Sequence, residues 1–195
     1  MALTLTRGKN FKLVNFVIVL SWLACGYLQA QTIKTYDISG NNATELVASM
    51  RANGPNGAWA LAHNTWRYSY RYTQSAGTYM LTSVEITRIV EITMPNWLGY
   101  KSATRCLKDH WDSMYRSLRN HEDNHVKLAD PVEALLREAI MGVAATDSKT
   151  GFERAIKAAT AKVFEENNWR QSRYDLETGH GKDDPIDPVI LKSCP

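Results

Sequence analysis

Residues 101–129 read KSATRCLKDHWDSMYRSLRNHEDNHVKLA, and their periodicity decides what kind of chain this is. Ala103, Leu107, Trp111, Met114, Leu118 and Leu128 recur at three- and four-residue steps, the pattern of a helix with one apolar stripe. His121 and His125 continue that stripe in phase, so both belong to the face that packs inward. Four residues advance a helix by about 400°, which sets the two imidazoles about one turn apart on one side. Buried imidazoles need partners. One partner is a metal, since Zn²⁺ takes histidine nitrogen at about 2.0–2.1 Å. In His121-Glu122-Asp123-Asn124-His125 the Glu122 carboxylate can then reach a zinc-bound water without ligating the metal, and take its proton as it attacks a carbonyl. The competing reading is two core histidines bonded to carbonyls or carboxylates.

Working outward, the chain divides into a strand-rich half and a helical half. Residues 59–94 alternate with period two: Ala60, Ala62, Trp66, Tyr68, Tyr70 and Tyr72 share one face, and His63, Thr65, Arg67, Ser69 and Arg71 the other. After a turn near Ser75-Ala76-Gly77, Val84, Ile86, Val90, Ile92 and Met94 form a second apolar row. Before the pair lie a short strand at 33–38 and a helix capped by Asn42, which ends at the turn Gly54-Pro55-Asn56-Gly57. After the motif, Asp130-Pro131-Val132-Glu133 starts a helix that ends near Gly142, with Asp130 as cap and Glu133 closing a capping box. A third long helix runs from about Gly151 to Arg173. The expected fold is therefore α+β: an antiparallel sheet of three or more strands packed on a helical half that carries the motif, zincin-like in arrangement.

A catalytic zinc needs a third protein ligand. The HExxHxxGxxH extension fails, because Leu128 and Pro131 stand at its glycine and histidine positions. Glu133 is better used in a capping box and Glu138 on a solvated face. His110 is displaced about 16 Å along the helix from His121, and His63 is on a strand. The best candidate is His180 in Tyr174-Asp175-Leu176-Glu177-Thr178-Gly179-His180-Gly181, where flanking glycines let the backbone approach a metal. Tyr174 could offer a phenol to a developing oxyanion, and Asp175 could orient a ligating histidine from behind.

The chain has 195 residues, 44% hydrophobic and 22% charged, which suits one globular domain and excludes a disordered one. Its first thirty residues hold Arg7, Lys9 and Lys12, then an apolar run from Phe16 to Leu28. That is a secretory signal by pattern, too short to span a membrane, which leaves 31–195 as a single zinc-peptidase-like domain. Removing its three basic residues leaves 20 basic against 20 acidic, so no basic patch argues for nucleic acid. Cleavage after Ala24-Cys25-Gly26 or after Leu28-Gln29-Ala30 fits, and a lipid anchor on Cys25 or an uncleaved N-terminal anchor are further options. Export also bears on the remaining cysteines, since two thiols in an oxidising compartment, Cys106 and Cys194, are expected to pair.

HEDNH on a long helix, Cys106 ahead of it, the Gly54-Pro55 turn, the aromatic strands and the Tyr174 to Gly181 segment together resemble a bacterial family. That family is described as secreted zinc-dependent proteases within a domain of unknown function. The resemblance covers about residues 34–194. It implies a metallopeptidase-like site with His121, His125 and His180 as zinc ligands and Glu122 as base. The leading expectation is thus a secreted or periplasmic peptidase with Zn²⁺ as cofactor and a peptide or protein as substrate, cell-wall cross-links being a narrower variant. The alternative is an exported binding module with a structural or vestigial metal site. An open coordination position beside Glu122 favours the enzyme, and a closed one the module.

Overall fold

The computed structural model describes residues 31–179 and residue 194. The expected signal segment with Cys25 and the expected ligand His180 lie outside the described residues. The elements are β1 (Gln31–Ile38), α1 (Ala43–Asn53), β2 (Leu61–Ser75), β3 (Thr78–Trp97), α2 (Arg105–Leu128), α3 (Val132–Met141) and α4 (Lys149–Glu177).

β2 and β3 form the expected hairpin. Ala76 and Gly77 both take positive φ, 50° and 78°, as a two-residue turn matched to strand twist requires. The antiparallel register runs from Ser75 opposite Thr78 back to Leu61 opposite Thr93, with a bulge between Arg71 and Tyr72. β1 lies on the other side of β3 and runs parallel to it, from Gln31 beside Val90 to Ile38 beside Trp97. The fold is α+β, but its three-stranded sheet, in the order β1-β3-β2, is mixed and not antiparallel throughout. The reason is the connection. α1 and the turn after it link the end of β1 to the start of β2, β2 carries the chain back in the opposite direction, and the hairpin then returns β3 beside β1 in the same direction. Alternation reports which face a strand buries, not which way it points.

One face of the sheet is covered. Ile92 and Met94 of β3 pack with Ile38, Leu46 and Met50 and with Leu107, Trp111, Met114 and Leu118 of α2. Farther along the hairpin, Val84 meets Ile140 of α3 and Phe152 and Ile156 of α4. The Phe152 ring contacts Tyr70, Tyr72 and Tyr79. The opposite face, with His63, Arg67, Ser69 and Arg71, is exposed.

Arg88 interrupts the apolar row of β3 between Ile86 and Val90, and its side chain is only 2% exposed. It donates to Asn64 Oδ1, to Asp130 Oδ1 at 2.7 Å and to the Val126 carbonyl, and lies over the Trp66 ring. Sheet and motif helix are thereby tied together one residue beyond His125. This corrects the expected cap: α3 starts at Val132 with Pro131 in the cap position and no side-chain cap bond, and Glu133 pairs with Arg137. A buried guanidinium needs the Asp130 charge more than a helix end in reach of water does.

α4 also departs from expectation. It continues past Arg173 to Glu177, supported by Arg170–Glu166 and Arg173–Glu177 pairs one turn apart, and ends where Gly179 takes φ 57°. Tyr174 and Asp175 are therefore helical residues and not part of a loop after the helix. Cys106 and Cys194 are joined in a disulfide with Cα atoms 5.7 Å apart. His110, one turn after Cys106, has Nδ1 3.7 Å from Cys194 Sγ. Among the described residues no helix is long and apolar enough to cross a membrane.

Candidate metal centre

The apolar stripe of α2 carries His121 and His125 to the helix's inner face, as its periodicity predicts. Their side chains are 6% and 12% exposed. The last turns of α4 pass alongside, and Asp175 meets both rings. Asp175 Oδ1 is 2.9 Å from His125 Nε2 and 3.3 Å from His121 Nε2, and the two nitrogens are 3.1 Å apart.

These three atoms suit one ion. A triangle with those sides has corners about 1.8 Å from its centre, so a point about 1 Å off its plane is about 2.05 Å from each atom, within the usual range for zinc with nitrogen and carboxylate oxygen. The donor set is two imidazoles and one carboxylate, a set that catalytic zinc sites use. His121, His125 and Asp175 are the residues that could hold the metal, and His180, outside the described residues, is not placed relative to them. Asp175, expected to orient a ligating histidine, meets both imidazoles directly. Its Oδ1 lies within hydrogen-bond distance of both Nε2 atoms, because the longer α4 carries it alongside α2.

Gln171, one turn before Asp175 on α4, stands behind His125. His125 Nδ1 is 2.6 Å from Gln171 Oε1, while Gln171 Nε2 donates to the His125 carbonyl at 3.1 Å. Tyr174 stacks on the His121 ring at 5.0 Å and meets His125 edge-on, and its hydroxyl accepts from Asn124 Nδ2 at 3.0 Å.

Glu122 is 5% exposed, and its Oε2 accepts from the Ala62 N–H of β2 at 2.6 Å. Burial pushes this carboxyl up, against the lowering effects of His125 and of the Ala62 N–H. Glu122, His121, His125 and Asp175 line a cleft of about 820 Å³. Its other walls are residues 56–64, which lead into and begin β2, and Asn167, Asn168 and Gln171 of α4. β2 is an outer strand of the sheet, so a sheet edge borders the candidate centre.

Sequence reasoning missed Gln171, Arg88 and the Ala62 N–H. Two of these had a signal. Asn167, Gln171 and Asp175 are spaced four apart, which reads as one face once α4 is extended, and Arg88 has the parity of the buried β3 row. The Ala62 contact joins positions 60 apart and leaves no local trace.

An α+β domain with two helical histidines and a helical carboxylate converging beside a cleft is the class of protein that fold and site define. The chain matches the family described as bacterial protein of unknown function (DUF922) over residues 33–181, and it belongs to that family. No curated protein matches it. No solved structure matches it either.

Proposed function

We propose that this chain is an exported, zinc-dependent peptidase that hydrolyses peptide or amide bonds. The observation that carries the reading is the convergence of His121 Nε2, His125 Nε2 and Asp175 Oδ1 on one point, with Glu122 buried beside them in a cleft. A bound zinc ion supplies Lewis-acid chemistry there: it polarises a carbonyl and acidifies water. The chain's own residues do the rest. Glu122, held by the Ala62 N–H, accepts the proton of the attacking water, and its raised affinity for protons suits a base that must later give that proton to the leaving amine. The edge of β2 beside the cleft supports a peptide substrate, since an extended segment can pair with an open strand edge. The disulfide supports export to an oxidising compartment.

The test is metal analysis with variants. Wild type should hold about one equivalent of zinc, and His121→Ala or His125→Ala should lose most of it. Comparing Asp175→Ala with His180→Ala identifies the third ligand, because the true one should cost at least about tenfold in affinity. Glu122→Gln should keep the metal and lose hydrolysis by about 10²-fold or more. Full zinc retention in both histidine variants would end the reading. An active Glu122→Gln protein would move the base elsewhere.

A further inference from the structure

We infer that Gln171 is a positioning residue that holds His125 in the tautomer with its proton on Nδ1, so that Nε2 meets the ligand point as a bare lone pair. The inference rests on the metal reading above for its purpose, but not for its geometry. A glutamine amide has a donor end and an acceptor end, and two contacts determine which end faces where. The His125 carbonyl can only accept, so the Gln171 atom 3.1 Å from it must be the NH₂. The amide oxygen is then the atom 2.6 Å from His125 Nδ1, and that short contact requires a proton on Nδ1. The reversed amide would set two oxygens against each other at the carbonyl. The other neutral tautomer would set a nitrogen lone pair against the amide oxygen.

The consequence appears at the far side of the ring. With Nδ1 protonated, a neutral His125 cannot donate from Nε2. Yet Nε2 lies 2.9 Å from the acceptor Asp175 Oδ1 and 3.1 Å from His121 Nε2. Facing those two atoms, Nε2 of a neutral His125 can act only as an acceptor, from a proton on His121 Nε2 or from a cation held among the three atoms. Gln171 therefore excludes the neutral form of His125 that would donate from Nε2 to Asp175, and keeps that nitrogen available as an acceptor at the candidate metal position. It does so as an uncharged group, so that Glu122 and Asp175 remain the acidic groups of the cleft's lining. A carboxylate in its place would hold the same tautomer but add a negative charge.

The experiment has two readouts on the full chain. Long-range ¹H–¹⁵N correlation spectra of the metal-free protein, recorded at alkaline pH on the neutral ring, report which His125 nitrogen carries the proton. Zinc affinity is measured in parallel by competition with a chelator. Wild type should show Nδ1–H, Gln171→Leu should show a mixture or Nε2–H, and Gln171→Glu should restore Nδ1–H. Zinc affinity should fall about 10- to 100-fold in Gln171→Leu and recover in Gln171→Glu. An Nε2–H wild type, or a tautomer unchanged in Gln171→Leu, would overturn the inference whether or not zinc binds. The expected tautomers with no zinc bound by wild type would leave Gln171's control of the ring standing and sink the metal reading alone. Equal zinc affinity in wild type and Gln171→Leu would overturn the purpose assigned here.

Discussion

Glu122 sits under opposing forces: burial disfavours its charge, while His125 and the Ala62 N–H favour it, and burial dominates. An acid whose pKa rises on folding binds its proton more tightly in the native state. Below its ordinary value of 4.5 the folded and unfolded chains are both protonated and the site costs nothing. As pH climbs from there through the raised folded value, the native state is progressively penalised. Metal-free Glu122→Gln should therefore be more stable than wild type at neutral pH, and the gap should close in acid. Thermal melts of both proteins across that range check this, and a variant less stable at neutral pH would contradict it. The residue scale also shows what spacing can convey. His121, Glu122 and His125 are legible because their partners in the motif lie within one helical turn. Asp175 is legible only as a neighbour of the chemistry. Its distance from His125 depends on where α4 ends and how it crosses α2.

At the scale of elements, α4 acts as a lever. Its 29 residues span about 43 Å, with Phe152 and Ile156 held under the hairpin near one end and Gln171, Tyr174 and Asp175 delivered to α2 near the other. Few of its residues are fully buried, and besides that anchor Val163 and Phe164 pack against Val132 and Leu136 of α3. Phe152→Ala should cost about 3–5 kcal/mol in urea unfolding, since it empties a site walled by Tyr70, Tyr72 and Tyr79. Trp169→Ala, on the 54% exposed outer side, should change stability by less than about 0.5 kcal/mol. A cost below about 1 kcal/mol for Phe152→Ala would mean that the anchor lies elsewhere. Apolar periodicity alone places the end of this helix too early. After Arg173 the apolar periodicity stops, while the i,i+4 ion pair Arg173–Glu177 continues the helix without it.

At the scale of the whole molecule, the disulfide closes a sequence separation of 88 and returns residue 194 to the start of the motif helix. Constraint of the unfolded chain by such a loop contributes at most about 4–5 kcal/mol. The Cys106→Ser/Cys194→Ser double variant should lose stability on that scale in chemical denaturation, and unchanged stability would show that the bridge is incidental. Arg88 makes the complementary tie, joining β3 and Asn64 of β2 to the C-terminal end of α2. Together they hold both ends of the helix that presents His121 and His125.

Local pattern was enough for the hairpin, the motif helix with its two inward histidines and the division into strand-rich and helical halves, and the expectation of export was enough to predict the pairing of Cys106 with Cys194. Each of these rests on periodicity within a few turns or strands, or on the reactivity of a residue type. Tertiary structure decided the parallel seating of β1, the use of Asp130 as a counter-charge for Arg88, the Glu122–Ala62 bond, and the arrival of Gln171 and Asp175 at the histidines. Those features join segments from 42 to 60 positions apart. Hydrophobic pattern states only that a face is buried. What it is buried against follows from packing the elements together, and the candidate centre lies where three of them, β2, α2 and α4, meet.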